Sequence, residues 1–367
     1  MVYTKRLKAG IGAVRAALLG IGIERQGRRY AEHGEHETAD DAPLVLVACS
    51  GGRDSMALAA LSERVCAMLG VRCGAVIVDH GMQNGSDEIA AQAAGRCERL
   101  GLKPVTVRRV QVRADGRGAE AAARDARYAA ICDVARGTGA AAVLLAHTKN
   151  DQAETVLIGL LRSGGVDALA GMPDTFVRDG VTFARPLLGM TREDTTGVCE
   201  DLGLQWWDDP TNGDASSRGV RDHSLPLRSR IRHGLIPFME EFAGSDIVDH
   251  LAGGARLTRR DKDYLDMQAD QVAARAVLEP EPGDAVRLSA IALQAEHPAI
   301  RTRVVAHALA AANITATASQ IESIDRLIAD WHGQSAVNLP RGYSAFRQKH
   351  VIRVCQDGGH ANRRRPR

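Results

Sequence analysis

Ser50-Gly51-Gly52-Arg53-Asp54-Ser55 places two hydroxyls, two glycines and a carboxylate within one six-residue stretch. Glycine lets backbone N–H groups approach a ligand with no Cβ in the way. A helix that follows such a turn points its positive end at the same spot. Together these features suit a phosphate or pyrophosphate. The loop is not a Walker loop, because no Gly-Lys-Ser/Thr occurs in the chain. The plain alternative is a strand–turn–helix in which Ser50 is only an N-cap.

A second group of reactive side chains is Asn150-Asp151-Gln152-Ala153-Glu154-Thr155. On a helix Asp151 and Glu154 stand three apart and share a face. Acids in a first helical turn ordinarily serve the helix dipole; a position just beyond a strand end favours a site instead. A third group is basic: Arg218, Arg221, Arg228, Arg230 and Arg232 stand against Asp222 alone between residues 218 and 232. Arginine there suits phosphate or RNA, since its planar fork bonds bidentately, although a solvated surface is the common explanation of such a run.

The elements that must position these groups follow from hydrophobic pattern. Leu44 to Ala48 is an unbroken apolar run of the kind a parallel strand shows when both its faces are covered. Met56, Leu58, Ala59, Leu61, Val65 and Leu69 then recur at helical spacing. Further strands are expected at 72–79, running into Asp79-His80-Gly81, at 104–110, and at 140–146, ending at His147-Thr148. Helices are expected from Ser86, as N-cap, to Leu100 and over 119–136. Alternating strands and helices argue for an open parallel sheet with helices on both faces. Ligands bind such sheets beyond the carboxyl ends of the strands, where Ser50–Ser55, Asp79, His80 and His147 onward converge.

Beyond this core, the pattern gives a hairpin over 176–184 and a short helix over 191–202. Trp206 and Trp207 point to opposite faces if they lie on a strand, with core packing the ordinary role for one of them. Residues 246–332 have a helical pattern, weakened at Gly253-Gly254, and 334–354 read as short strands. The expected organisation is an N-terminal helix and linker (1–42), a nucleotide-binding α/β domain (43–243), a smaller mainly helical C-terminal domain (244–355) and a basic tail (356–367). Gly116-Arg117-Gly118 superficially matches a dinucleotide fingerprint, but no strand-end acid follows at the right distance. His33 and His36 between glutamates are read as a solvated loop rather than a metal site.

The chain has 367 residues, 45% of them hydrophobic and 25% charged, with a formal net charge of +2. This is an ordinary globular composition, and any basic surface must be local. Its 7 cysteines form no Cys-x-x-Cys pair, which argues for reduced thiols, with Cys49, Cys66 and Cys132 as small core residues. The N-terminal segment reads as an amphipathic surface helix rather than a signal peptide. No uncharged apolar run reaches the roughly 18 residues of a membrane span. A cytoplasmic protein is expected, and its oligomeric state is open, a homodimer being one option.

Ser-Gly-Gly-x-Asp-Ser resembles the pyrophosphate loop of the ATP pyrophosphatases. With it, in register, come Val78-Asp79-His80-Gly81, Ala126-Arg127-Tyr128, His147-Thr148-Lys149-Asn150-Asp151-Gln152-Ala153-Glu154-Thr155, Leu169-Ala170-Gly171-Met172, Arg185-Pro186-Leu187-Leu188, Asp209-Pro210-Thr211-Asn212 and Arg230-Ile231-Arg232. In that order they resemble the tRNA(Ile)-lysidine synthetases over about residues 43–240. Asn150 departs from the family's usual Asp and Gln83 from its common Arg, and the approach to Arg230-Ile231-Arg232 is longer than usual.

The resemblance implies an adenine-nucleotide alpha-hydrolase-like fold and two substrates besides ATP: a tRNA(Ile) with a CAU anticodon, and free L-lysine. The wobble cytidine is adenylated on its C2 oxygen, and lysine then displaces AMP. On this reading Ser50, Gly51, Gly52, Arg53, Asp54 and Ser55 hold pyrophosphate, with Asp79, His80 and His147 also at the nucleotide. Asp54 places Mg²⁺, Asp151 and Glu154 receive the lysine, and Arg230 or Arg232 neutralises the α-phosphate. The rivals are a tRNA sulfur transferase, a small-molecule amide-forming ATP pyrophosphatase and a non-catalytic nucleotide- or RNA-binding module.

Overall fold

The computed structural model describes residues 3–32, 36–81, 85–111, 119–162, 165–208 and 225–356. His33, Gln83, Gly116 to Gly118, Asp209 to Asn212, Arg218, Arg221 and the basic tail lie outside the described residues. The chain divides into two compact units, residues 1–259 and 260–367.

The first unit opens with α1 (Lys5–Gly20), whose Leu7, Gly10, Val14 and Leu18 are buried. It continues with β1 (Leu44–Ala48), α2 (Arg53–Leu69), β2 (Arg72–Asp79), α3 (Ser86–Arg99), β3 (Val105–Arg109), α4 (Ala119–Thr138) and β4 (Ala142–Leu145). After β4 come α5 (Lys149–Arg162), α6 (Val166–Leu169), the hairpin β5 (Thr175–Arg178) and β6 (Val181–Ala184), and α7 (Arg192–Asp201). Then α8 (Leu227–Arg230) passes through a π-helical turn (Ile231–Leu235) into α9 (Ile236–Ala243), and the long α10 (Ile247–Ala276) begins in this unit and ends in the second.

Among the described residues, one sheet has the order β3-β2-β1-β4-β6-β5, parallel except for β5. Leu44, Leu46, Val143 and Leu145 bury into one side, while Val45, Val47, Ala142 and Leu144 bury into the other. Successive strand side chains point to opposite faces, so a continuous apolar run is what two covered faces require. α4 covers one face, and α1, α2, α3 and α7 contribute to the core on the other. The chain leaves β1 toward β2 and β3, then returns to β1's other side with β4. The direction of winding therefore reverses between β1 and β4, whose ends Ala48 and Leu145 are register partners. Open sheets bind ligands at that reversal.

Some local expectations are corrected. Ser86 is the first residue of α3 rather than its cap: Gly85 holds the N-cap position, and the Ser86 hydroxyl bonds Asp79 instead. A carboxylate at the strand end is the stronger acceptor. Trp206 and Trp207 are not on a strand; Trp206 packs against the core, and its Nε1 donates to Asp208 at 3.0 Å. Gly253-Gly254 do not interrupt α10, a continuous helix of 30 residues whose Val248, Ala252 and Ala255 are buried. The roughly 1 kcal/mol that a helical glycine costs is outweighed by that packing.

In the second unit, β7 (Val277–Leu278), β8 (Asp284–Ser289), β9 (Val337–Leu339), β10 (Tyr343–Gln348) and β11 (Val351–Gln356) form an antiparallel sheet of order β7-β8-β11-β10-β9. It packs with α11 (Ala290–Gln294), α12 (Pro298–Ala311) and α13 (Ala318–Ala329) over a core that includes Val286, Leu288, Val304, Leu327 and Ile352. β8 lies inside the stretch whose pattern looked helical. Its Val286 and Leu288 alternate with partly exposed Arg287, a period-2 signal too short to stand out.

Candidate active site

The glycine loop leaves β1 and enters α2 directly. Gly51 has φ +79°, and a Cβ there would lie 2.9 Å from the Cβ of Ala93 on α3. Backbone conformation and space thus both call for glycine. Ser55 pins the turn from inside: its Oγ donates to the Gly52 carbonyl at 2.8 Å and accepts from Ser50 N at 3.2 Å. From outside, Trp207 N donates to the Gly51 carbonyl at 2.9 Å. The loop is held before any ligand arrives.

Asp54 follows on the first turn of α2. Its Oδ1 accepts from the Thr195 hydroxyl of α7 at 2.5 Å, and its Oδ2 is 3.8 Å from Arg192 Nε. Burial pushes this carboxyl above its ordinary value; Thr195 and Arg192 work in the opposite direction.

Across the winding reversal, α5 begins with a reciprocal cap. Thr148 N and Oγ1 both donate to Asp151 Oδ2, at 2.8 and 2.9 Å. Asp151 Oδ1 accepts from Arg192 Nη2 at 2.7 Å. Burial acts to raise the Asp151 pKa, but Arg192, His147 and the Thr148 bonds outweigh it and hold the carboxyl below the usual range. Glu154, one turn on, is 0% exposed and is gripped by three guanidiniums. Arg192 Nη1 reaches Oε1 at 3.2 Å, Arg228 Nη1 reaches Oε2 at 3.1 Å, and Arg232 uses Nε on Oε1 at 2.8 Å and Nη2 on Oε2 at 3.3 Å.

The structure thus gathers Asp54, Asp151, Glu154 and Arg232 around Arg192. Arg230 is half-buried and is not among the guanidiniums on Glu154. Arg53 takes a different direction, with Nη1 3.3 Å from the Thr196 hydroxyl. Asp79 ends β2 and is buried; Ser86 and the Gly81 N–H hold its carboxyl below the ordinary value, with Arg109 at 3.6 Å. His80 accepts from Arg127 Nε at 3.0 Å, and burial lowers its imidazole pKa. His147 accepts from Arg185 Nε at Nδ1 at 3.2 Å, which leaves its ring proton on Nε2. Burial pushes that imidazole down to about 3.

Arg192 and Thr195 were not singled out from sequence, and Arg185 entered only as part of Arg185-Pro186-Leu187-Leu188, with no role given to it. Arg192 carried one signal: it is the first residue of α7, where the helix dipole disfavours a cation unless carboxylates compensate. Asn150, the departure from the family pattern, accepts from Arg192 N at Oδ1 at 2.9 Å. It keeps the acceptor oxygen that an Asp would offer and fixes the start of α7.

A doubly wound sheet carrying this preformed loop at its reversal point defines an ATP-binding PP-loop protein, and the PP-loop domain model matches residues 24–239. A model of the TilS substrate binding domain matches residues 288–353. The tRNA(Ile)-lysidine synthase of Bifidobacterium longum subsp. infantis is 57% identical over 389 aligned positions, covering 99% of this chain and 100% of that protein. That of Streptomyces coelicolor is 45% identical over 84% of each chain. The chain belongs to the tRNA(Ile)-lysidine synthase family. A solved structure, the U34-tRNA thiolase NcsA from Methanococcus maripaludis with its [4Fe-4S] cluster, has a TM-score of 0.50 at 18% identity. It covers 70% of this chain and 81% of its own, a likeness of fold alone.

Proposed function

We propose that this chain is a ligase that joins lysine to C2 of the wobble cytidine of a CAU-anticodon tRNA(Ile), cleaving ATP to AMP and pyrophosphate. The observation that carries the reading is the Arg192 bridge: one guanidinium contacts Asp54 beside the glycine loop and both Asp151 and Glu154 on α5. That contact supports the reading that the glycine loop and the pair of carboxylates belong to one site, as a two-step ligation needs.

In the first step the cytidine C2 oxygen attacks the α-phosphorus, and the bond to pyrophosphate breaks. The loop's backbone N–H groups and the positive end of α2 meet the charge that develops on pyrophosphate, without reorganising to do so. Mg²⁺ fits the donor set: an ion of this kind binds through one or two carboxylates plus substrate phosphates, and Asp54 Oδ2 lies beyond hydrogen-bond reach of Arg192 Nε at 3.8 Å. Its chemistry there would be to neutralise phosphate charge.

In the second step the lysine ε-nitrogen attacks C2, the C2–O bond breaks and AMP leaves, while the proton lost from the ε-nitrogen passes to Asp151 or Glu154. With a pKa of about 10.4, only about one amine in 2500 is neutral at pH 7, a deficit of roughly 4–5 kcal/mol. Asp151 is held ionised, so it serves to bind and orient the ammonium. Glu154 stands one turn further as its partner. A cytoplasmic setting follows from the tRNA substrate. Incubation with ATP, radiolabelled lysine and unmodified tRNA(Ile) tests the function. Label in the anticodon supports it, and its absence under conditions that release pyrophosphate refutes it.

A further inference from the structure

Each oxygen of the two α5 carboxylates already accepts at least one hydrogen bond. Glu154 Oε1 takes Arg192 and Arg232, and Oε2 takes Arg228 and Arg232. Asp151 Oδ1 takes Arg192, with Arg228 and Arg232 at 3.8 and 3.7 Å, and Oδ2 takes both Thr148 donors. Within this network the guanidiniums of Arg192, Arg228 and Arg232 face the carboxylates of Asp54, Asp151 and Glu154, so its charges cancel.

Adding an ammonium to that closed network leaves one positive charge uncompensated in a largely buried place, which is strongly disfavoured. It also offers the ammonium no carboxylate oxygen that is without a donor. A phosphate ester brings the missing negative charge and is the partner for which a guanidinium fork leaves a carboxylate. The three arginines are not equally free to leave. Arg192 is tied to Asp54, Asp151 and Glu154, and Arg232 holds Glu154 through two nitrogens. Arg228 has one bond to Glu154 and one to the Thr155 hydroxyl, at 3.1 and 3.3 Å. Its side chain is 30% exposed, against 18% for each of the other two.

We propose that Arg228 is a gate on the lysine site: it occupies Glu154 until a nucleotide phosphate draws it away, so that lysine binds only after nucleotide. The proposal rests on the lysidine-forming reading and adds an order of binding to it. The phosphate charge that opens the gate also balances the incoming ammonium. Free lysine is thereby kept from the carboxylates while no nucleotide is bound. Arg228 acts as a positioning residue through Glu154.

Equilibrium dialysis of radiolabelled L-lysine against the full-length protein tests this, with and without Mg²⁺ and α,β-methylene-ATP, which cannot be cleaved at the α-phosphorus. The expected result is at least a tenfold tighter lysine affinity with the analogue. Arg228→Gln is expected to bind lysine without nucleotide and to reduce the nucleotide effect to under threefold. Arg228→Lys keeps a cation on Glu154 and keeps the dependence. A merely structural Arg228 would change the affinity without removing its response to nucleotide. Equal lysine binding by the wild type in both conditions, including none in either, overturns the gate whether or not the variants fold. Lysidine formation by the same wild-type preparation, assayed in parallel, separates failure of the gate from failure of the ligase reading.

Discussion

Arg232 holds Glu154 through two nitrogens at once, Nε to Oε1 at 2.8 Å and Nη2 to Oε2 at 3.3 Å, beneath a carboxylate that is fully buried. Arg192 and Arg228 reach the same carboxylate at 3.2 and 3.1 Å. Glu154→Gln leaves these guanidiniums facing an amide. Lysidine formation is expected to fall about 100-fold or more, a typical loss for a positioned acid or base. Breaking a buried pair from one side costs about 3–5 kcal/mol. Because the arginines are partly exposed, about 3 kcal/mol is expected, read as a lower denaturant midpoint.

Arg192 touches Asp54, Asp151 and Glu154, the carboxylates that the proposed reading divides between the two half-reactions. Arg192→Ala is therefore expected to slow both lysine-independent adenylation and lysine transfer, each by tenfold or more, whereas Glu154→Gln slows mainly the second. Arg192→Lys keeps the charge but cannot span three carboxylates with one ammonium, so it recovers only part of either rate. Single-turnover measurement of the two steps checks this; a variant defective in one step alone would break the bridge account.

Gly51→Ala must place a Cβ at a left-handed φ and 2.9 Å from the Cβ of Ala93. A cost of about 1–3 kcal/mol is expected from the backbone strain and the contact. Since the loop moves with it, KM for ATP should rise at least tenfold while lysine affinity with a bound analogue changes less. Calorimetric melting and ATP titration read the two effects separately.

His147 provides a pH signature. Its folded pKa, about 3, lies below the ordinary value near 6.5. Between those values the unfolded chain binds the proton and the folded chain does not. Its contribution to stability is thus fully present above about pH 6.5 and is lost as pH falls toward 3, by up to about 5 kcal/mol. His147→Gln should unfold less steeply across that window. NMR of the wild-type ring should show a neutral Nε2–H tautomer with no titration down to pH 5.

The parallel sheet was readable because its strands are unbroken apolar runs, and the two reactive segments stand out because each follows such a run. The network between them was not readable. Arg192 lies 41 residues beyond Asp151 and reaches it only because Asn150 and the Met190 carbonyl dock α7 against α5. The run of arginines pointed to phosphate, yet in the folded chain Arg228 and Arg232 answer Glu154 first. No spacing rule ranks a partner that the fold brings from 70 residues away. β8 was lost for a different reason, a strand too short and too alternating to be distinguished inside a helical stretch.

On the proposed reading one site performs two steps with different carboxylates. It is tested most directly with [α-³²P]ATP and unmodified tRNA(Ile), with lysine withheld and then added. Wild-type protein should label the tRNA and release the label as AMP when lysine arrives; Glu154→Gln should label the tRNA and retain the label. Release by Glu154→Gln at the wild-type rate, or no label on the tRNA with either protein, would contradict the account.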